Sequence, residues 1–318
     1  MKIAVVDTFP PELDAVAEAS QQATFYHTGT WLLSLVAAYP NMRARWLVAE
    51  DGSRPIAYLP CISTRRGPFD SWWSLPFGTY GGPVGEAEAF PALMEAYRRL
   101  GERRNVLEVG WVDFFHDVDT PDGEQESASA HVVDISPGFE FVWRERFDKL
   151  RRRRTRNAGE NGIVVRRTRD VGDVGRFVAL YRARLEGWEA GSGYPDRLFH
   201  DLVANGGARV GMYLAERGGE VLGGHVNFYH RDAVTAWCGM ASKVGNELHA
   251  GTLLYATAMR EACEAGFRSY NLGASLGKAS LEEYKRSLGG QSYRYRIVRH
   301  RRWAGRMVAA VRGWRRSR

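Results

Sequence analysis

The sequence predicts an α/β fold with mixed sheets, built as two tandem copies of one unit, β-β-β-loop-α-β. Three observations carry that prediction. A similar hairpin occurs twice, at Trp46–Pro60 and Met212–His225, with Ala49-Glu50 and Ala215-Glu216 separated by 166 positions. A helix and a closing strand then follow each hairpin at nearly the same offset. No uninterrupted apolar run approaches the roughly 20 residues that a membrane span needs.

The elements follow in order. Each hairpin is an apolar strand, a glycine-bearing turn and a second strand, the pattern of two antiparallel strands in direct sequence. Ser71-Trp72-Trp73-Ser74-Leu75 and Ala233-Val234-Thr235-Ala236-Trp237-Cys238 are the third strands. In the first copy Phe90, Leu93, Met94, Tyr97 and Leu100 recur at helical spacing and Gly101 stops the helix. In the second, Leu254, Ala258 and Ala262 form one face and Gly266 is the stop. The closing strands are Asn105–Val109 and Arg268–Leu272. Helical sequence precedes each copy, Leu13–Ala38 and Val174–Val203. Repetition of four elements in order indicates duplication. The polar stretch Asp117–Ala130 reads as the connection, which divides the chain into domains 1–136 and 137–318.

Composition narrows the function classes. The chain has 318 residues, 44% apolar, 25% charged and 12% aromatic, which excludes a disordered chain, a collagen-like fibre and a coiled coil. Cys61, Cys238 and Cys263 are too few and scattered for a disulfide framework or a zinc site, so no metal is expected and a reducing cytoplasm is the default. The N-terminus reaches Asp7 after a short apolar run and has no signal-peptide core. The net charge of +7 is local: Arg294–Arg318 holds ten arginines and no acid, and Phe141–Arg169 holds eleven Lys or Arg against three acids. Such patches suit phosphates of nucleic acid, anionic lipid or a pyrophosphate-bearing small molecule, against the plain alternative of a generally arginine-rich chain. The end of the chain, Trp303–Trp314, mixes apolar residues, two Trp and arginines, a composition suited either to a helix lying on an anionic membrane or to a solvated tail. Segment 299–318 is therefore the candidate for peripheral contact with the inner face of the membrane.

The candidate chemistry lies in the second copy. Its helix begins near Gly251-Thr252, where unbonded N–H groups and the helix dipole favour an anion. His249 beside that start, with Arg151 and Arg154 of the basic block, completes the candidate donor or phosphate site. The first copy's loop, Gly78–Pro83, is richer in glycine but leads to Glu86 and Glu88, which disfavour an anion. His225 and Asn227 alternate on one strand, so both face the same way: either into the cleft, with His225 accepting the amine proton, or hydrogen-bonded within the fold. Trp188, Tyr194 and Tyr181 either line an acceptor cleft or belong to the core. No Ser-His-Asp order or paired-acid motif stands out, so a covalent intermediate is not indicated.

These residues also carry a family resemblance. Gly251-Thr252-Leu253-Leu254 with its helix, Gly266-Phe267-Arg268, the strand ending Asn271-Leu272-Gly273, and Tyr284-Lys285-Arg286-Ser287-Leu288-Gly289-Gly290 resemble the C-terminal domain of the Fem-type aminoacyltransferases and their acetyltransferase-like relatives. Leu75–Pro83 is similar to the matching loop of their N-terminal domain, and Leu150–Gly162 to the basic entry to their second domain. The resemblance covers nearly the whole chain. It implies two acetyltransferase-type (GNAT) folds in tandem and transfer of an acyl or aminoacyl group to an amine, with no metal or prosthetic group. It implies aminoacyl-tRNA as the donor co-substrate and a peptide, cell-wall or lipid-linked glycan precursor as acceptor, with acyl-CoA as the donor of some relatives and an amino-sugar or peptide as their acceptor. Lys285 matches the family's lysine and is assigned to holding the carbonyl or a phosphate, against a surface lysine as the alternative. Tyr284 and Asn271 fall beside the substrate. The strand end departs from the family, where Asp is frequent and Asn271 stands here. The pyrophosphate signature of ordinary acetyltransferases is not met at Asn246–Gly251, and the helical arm of some members is absent. A non-catalytic nucleic-acid-binding protein using the arginine blocks is the alternative from another class, and a membrane-associated scaffold a third.

Overall fold

A computed structural model describes residues 1–115, 123–185 and 193–302. The chain forms two compact units. The first contains β1 (Lys2–Val6), α1 (Glu12–Ala19), α2 (Gly29–Ala38), β2 (Met42–Asp51), β3 (Arg54–Arg66), β4 (Phe69–Ser74), the short β5 (Val84–Gly85), α3 (Phe90–Gly101) and β6 (Val106–Asp113). β7 (Glu124–Asp134) leads into the second unit. That unit continues with α4 (Phe139–Phe141), α5 (Lys149–Glu160), β8 (Val164–Thr168), α6 (Val171–Leu185), α7 (Asp196–Asn205), β9 (Val210–Arg217), β10 (Glu220–His230), β11 (Ala233–Ala241), α8 (Lys243–Glu247), α9 (Ala250–Glu264), β12 (Ser269–Ala274) and α10 (Ala279–Ser287). β13 (Gln291–Arg301) returns to the first unit.

The two units repeat one topology, as the duplicated sequence pattern requires. In the first, β1, β2, β3 and β4 pair antiparallel in succession, and β6, reached through α3, pairs parallel with β4. In the second, β8, β9, β10 and β11 do the same, and β12, reached through α9, pairs parallel with β11. A crossover helix between parallel neighbours is what such a connection demands. The helices bury the expected residues: Leu93, Tyr97 and Leu100 of α3 against Leu47, Leu59 and Val109, and Leu254, Ala258 and Ala262 of α9 against Tyr213, Leu222 and Tyr270.

Two expectations are corrected here. The sequence marks one boundary at 136/137, whereas the division falls between Ala128 and Ser129 and the chain from Arg294 belongs to the first unit. The reason is strand pairing: Arg296–Arg301 bonds antiparallel to β6, and Ala130–Asp134 bonds antiparallel to β12. The last strand of each copy thus completes the sheet of the other unit. Second, much of the expected connector is strand. Glu124–Ser127 is exposed and polar, so it lacks the apolar alternation by which a strand is read, yet it forms the start of β7.

The edge strand β8 is held by charge. The Asp173 carboxylate of α6 accepts from Arg166 Nη1 (2.6 Å) and Nη2 (2.7 Å) and from Thr168 Oγ1 (2.6 Å), and Arg166 Nε also donates to Glu216 of β9 (2.6 Å). The Arg166 bonds, foremost, hold the Asp173 carboxyl far below the usual carboxylate range. A depressed carboxylate contributes stability above its unfolded value near about 3.9, and that contribution is lost as pH falls toward the folded value. Asp173→Asn should lower the unfolding free energy at pH 7 by about 2 kcal/mol. The gap from wild type should narrow below about pH 4. Urea unfolding of both proteins across pH measures this, and a gap unchanged down to pH 3 contradicts it.

Candidate active site

The site begins where a β-ladder stops. β11 and β12 pair in parallel at Ala233↔Ser269, Val234↔Tyr270 and Thr235↔Asn271, and no further, although β11 runs on to Ala241. Each strand carries an irregularity at this level. On β11, Ala236 and Cys238 oppose Asn227 and Val226 of β10, so Trp237 is an extra, bulged residue. On β12, Asn271 and Ala274 oppose Val132 and Ala130 of β7, so one residue is extra there too. Gly273 takes a left-handed φ of 74°, which costs a residue with a Cβ and costs glycine little.

Backbone groups turned out of the ladder need other partners. The Asn271 side-chain oxygen accepts from the Gly273 N–H (2.8 Å). Lys285 Nζ of α10 donates to the carbonyls of Gly273 (2.9 Å) and Ala274 (2.7 Å). Lys285 is only 5% exposed, and burial brings its pKa down to about 8. It therefore grips carbonyls as the sequence implies, but those of its own chain. Asn271, the last paired residue, performs a backbone-bracing task that its amide serves without charge.

The first unit treats the same place differently. β4 and β6 stay paired through Ser74↔Trp111. The loop beyond β4 closes over them: Gly81 N–H bonds to Val112 O (3.0 Å) and Gly82 N–H to Ser74 Oγ (2.9 Å). A Cβ on Gly81 would lie 1.9 Å from Ser74 O, so this glycine serves close packing. The open ladder end belongs to the second unit.

Beside it lies a cationic helix start. His249, in the left-handed region at φ 63°, is the N-cap of α9. The helix opens with Ala250 and not at Gly251, and the preceding loop contains the one-turn α8, which Ser242 caps through Gly245 N–H (3.0 Å). α5 brings its arginines here. Asp148 caps α5 by accepting from Arg151 N (2.7 Å), and Arg151 lies 4.5 Å over the Tyr284 ring while its Nε donates to Ser287 Oγ (2.6 Å). Burial raises the Tyr284 phenol pKa, opposed by a bond with Thr252 and by the charges of Arg151 and Arg154. Burial, then the charge of Arg154, then those of Arg151 and Arg153, hold the His249 imidazole below its usual value, against a backbone hydrogen bond at Asn246 that raises it. Gly251, Thr252, His249, Arg151, Arg154 and Tyr284 are thus one cluster. Nothing in the packing demands glycine at 251, since a Cβ there would sit 3.6 Å from Tyr284 Oη, an ordinary contact. The backbone there stays open to approach.

His225 and Asn227 do share a face, but it is the face under α9. His225, 1% exposed, lies between the rings of Tyr213 and Tyr255 (5.1 Å to each), and Asn227 Nδ2 donates to Tyr270 Oη (2.8 Å). Burial lowers the His225 pKa to about 3, so the imidazole is neutral. The cleft-facing placement is corrected: strand alternation fixes a common face, and packing under α9 decides which. Tyr194 and Tyr181 are brought together by a bond from Tyr194 N–H to Tyr181 Oη (2.7 Å), and the Tyr194 ring packs on Trp237 (4.7 Å) and Phe199 (6.3 Å). Trp188 and the tail beyond residue 302 lie outside the described residues.

Sequence reasoning missed three residues. Trp237 occupies the bulge. His131 of β7, 3% exposed, has its pKa lowered by burial first and by the charge of Lys285 second, and its Nδ1 has no hydrogen-bond partner among the described residues. Ser275 follows the gripped carbonyl of Ala274 and is 1% exposed with an unpartnered hydroxyl. None sits in a motif, so only the register of β7 and β12 reveals them. Among the described residues no helix is long and apolar enough to cross a membrane, and no group of His, Cys, Asp or Glu side chains is placed to hold a metal ion.

Comparison with known proteins supports the geometry. Residues 144–286 match the family described as the acetyltransferase (GNAT) domain. No curated protein matches the chain. Among solved structures, FemX superposes with a TM-score of 0.71 at 12% identity, covering 92% of this chain and 96% of FemX. L-PGS from Bacillus licheniformis gives 0.63 at 12%, covering 96% and 95%. A tandem GNAT protein from the clavulanic acid biosynthesis pathway gives 0.53 at 11%, covering 94% and 98%. At these identities the likeness is one of fold: tandem GNAT-type units in a mixed α/β architecture.

The buried lysine is directly measurable, because the chain has only five lysines. In protein labelled with 13C-lysine, one signal should titrate near pH 8 and disappear in Lys285→Arg. Five signals titrating near 10.4, the unperturbed value, contradict the site geometry. The sign for stability also follows. Between pH 8 and about 10.4 the unfolded chain holds the extra proton, so the Lys285 contribution to stability rises through that window.

Proposed function

We propose, from the match of residues 144–286 to the acetyltransferase (GNAT) domain model, that the second unit forms an amide bond by transferring an aminoacyl group from aminoacyl-tRNA to the amine of a peptide or cell-wall or glycan precursor. The observation that carries the reading is the ladder end at Thr235 and Asn271, which frees β11 backbone groups beside a braced β12.

The donor carbonyl lies against the β11 backbone beyond Thr235. A main-chain N–H freed from the ladder there donates to the carbonyl oxygen as negative charge develops, a fixed dipole that costs no reorganisation. The acceptor amine, in its neutral form, attacks the carbonyl carbon. The new C–N bond forms, the ester C–O bond breaks, and the proton lost from nitrogen ends on the leaving hydroxyl. His225 is too deeply buried and too weakly basic for that transfer. Lys285 keeps β12 open and so positions the reacting groups, and its contribution is largely orientation. Arg151, Arg154, His249 and the start of α9 receive the donor's phosphates, where forked guanidinium donors and the helix dipole act together.

A transfer assay with labelled aminoacyl-tRNA tests the reading. Product should form and should vanish after ribonuclease treatment. Arg154→Glu should raise KM for the donor about tenfold, the effect of losing roughly 1.4 kcal/mol of binding, with a smaller change in kcat. Transfer insensitive to ribonuclease but dependent on acyl-CoA would replace the donor while retaining the fold's chemistry. RNA binding unaffected by Lys285→Ala, together with no transfer by the unsubstituted protein, would replace the enzyme by a nucleic-acid-binding protein.

A further inference from the structure

The first unit holds a second cationic site, remote within its own sheet from the loop that closes over β4 and β6. Along β2, Arg43 and Arg45 point to one face, and their cross-strand neighbours on β3 are Ser63 and Cys61. Arg65 lies one step further on that face of β3, and Asp70 and Trp72 of β4 sit opposite Arg65 and Ser63. This is the α3 side of the sheet, where Cys61 and Trp72 belong to the core packed under α3. The residues beyond that core line a cleft of about 380 Å³.

Charge in the cleft is only partly balanced. Arg45 ion-pairs with Asp7 (2.5 Å) and its guanidinium stands 5.3 Å over the Trp72 ring. The Asp70 carboxylate accepts from Asn105 Nδ2 (3.0 Å). Arg65 Nε donates to the Gly67 carbonyl (3.3 Å), which shapes the β3–β4 turn without neutralising the guanidinium. Arg43 is exposed and makes no ion pair among the described residues. Like charges on adjacent strands repel at this spacing, and the Arg43 and Arg65 guanidiniums, neither ion-paired among the described residues, face one concavity that also holds the Asp70 carboxylate opposite Arg65.

We propose that this cleft binds a phosphate- or diphosphate-bearing ligand, with Arg43 and Arg65 as the primary anion contacts and Arg45, fixed by Asp7 and Trp72, as the third cation. Guanidinium forks match phosphate oxygens two at a time, and a multiply charged oxyanion serves two forks where a single carboxylate serves one. The volume accommodates a diphosphate with a small attached group. The site uses no residue of the second unit, so it stands or falls independently of the transfer reaction.

Isothermal titration of the full chain with sodium pyrophosphate tests it, with inorganic phosphate and a short RNA oligonucleotide as further arms. Pyrophosphate should bind more tightly than phosphate. Arg43→Glu, an exposed substitution, should weaken binding at least tenfold, and Arg65→Glu likewise. Arg217→Glu, an exposed arginine at the end of β9, should change it less than twofold. Arg43→Lys should recover part of the affinity. Tighter binding of the oligonucleotide that is equally sensitive to Arg43 assigns the phosphate to a nucleic-acid backbone. Unaltered pyrophosphate binding in Arg43→Glu, or loss only in Arg154→Glu, overturns the proposal.

Discussion

A strand that leaves its ladder must carry its backbone bonds elsewhere, and the functional half of this protein rests on how β12 does so. Past Asn271 the strand no longer bonds to β11. Two carbonyls and one N–H would be left in a buried place, each costing about 1–3 kcal/mol if unmet. Asn271 takes the N–H, and the Lys285 ammonium takes both carbonyls. The lysine is itself an expensive solution, because burial works against its charge. A neighbouring carboxylate, Glu282, opposes that shift only weakly, and the result is a group close to half-ionised just above neutral pH. The alternative way to satisfy the same carbonyls is to zip β12 onto β11, which removes the opening.

The first unit has taken that alternative. Its β4 stays bonded to β6 through its last residue, Ser74, and a glycine-rich loop presses so closely on Ser74 that no side chain fits at Gly81. Duplicated topology therefore does not mean duplicated sites. The crossover helices diverge in the same direction. α3 drives Leu93, Tyr97 and Leu100 into its sheet, whereas α9 sets Ala256, Ala258 and Ala262 among Leu254 and Met259. Small residues on α9 leave depth for the polar set of Tyr213, His225, Asn227 and Tyr270 beneath it. Asn227 bonds to Tyr270, Tyr213 bonds to Tyr229 and Glu261, and His225 packs on the Tyr213 ring, so their polarity reflects packing under the helix and not exposure to substrate.

How much of this was legible before the coordinates depends on which period a feature has. The hairpins, the crossover helices and the closing strands repeat at offsets of 166 and 165 residues, and periods of 2 and 3.6 mark them plainly. The start of β7 was hidden, because an exposed Glu-Gln-Glu-Ser run resembles a linker when only one face, and that one late, meets a core. Bulges have no sequence period at all. Trp237 reads as one more strand residue, and only its pairing partners expose it as an insertion. His225 and Asn227 illustrate a different limit: alternation says that they point the same way but not which way. Lys285 stood out through family resemblance alone, and His131 and Ser275 acquire meaning only from the strands that meet beside Lys285.

Arginine count is a poor guide to where an anion binds in so arginine-rich a chain, and the pairing of each guanidinium is a better one. Arg166 and Arg176 look as basic in the sequence as Arg151 and Arg154. Yet Asp173 and Glu216 meet the first pair at 2.5–3.2 Å, and their charge is consumed in holding β8 and α6 to β9. The second pair has no carboxylate within ion-pair distance among the described residues. Arg151 is steadied by an aromatic face and a serine hydroxyl, partners that orient a cation without cancelling it. Its field reaches His249, whose imidazole it helps keep uncharged. In the proposed donor site a phosphate opposes the field of Arg154 and Arg151 and so shifts the histidine back toward its usual value.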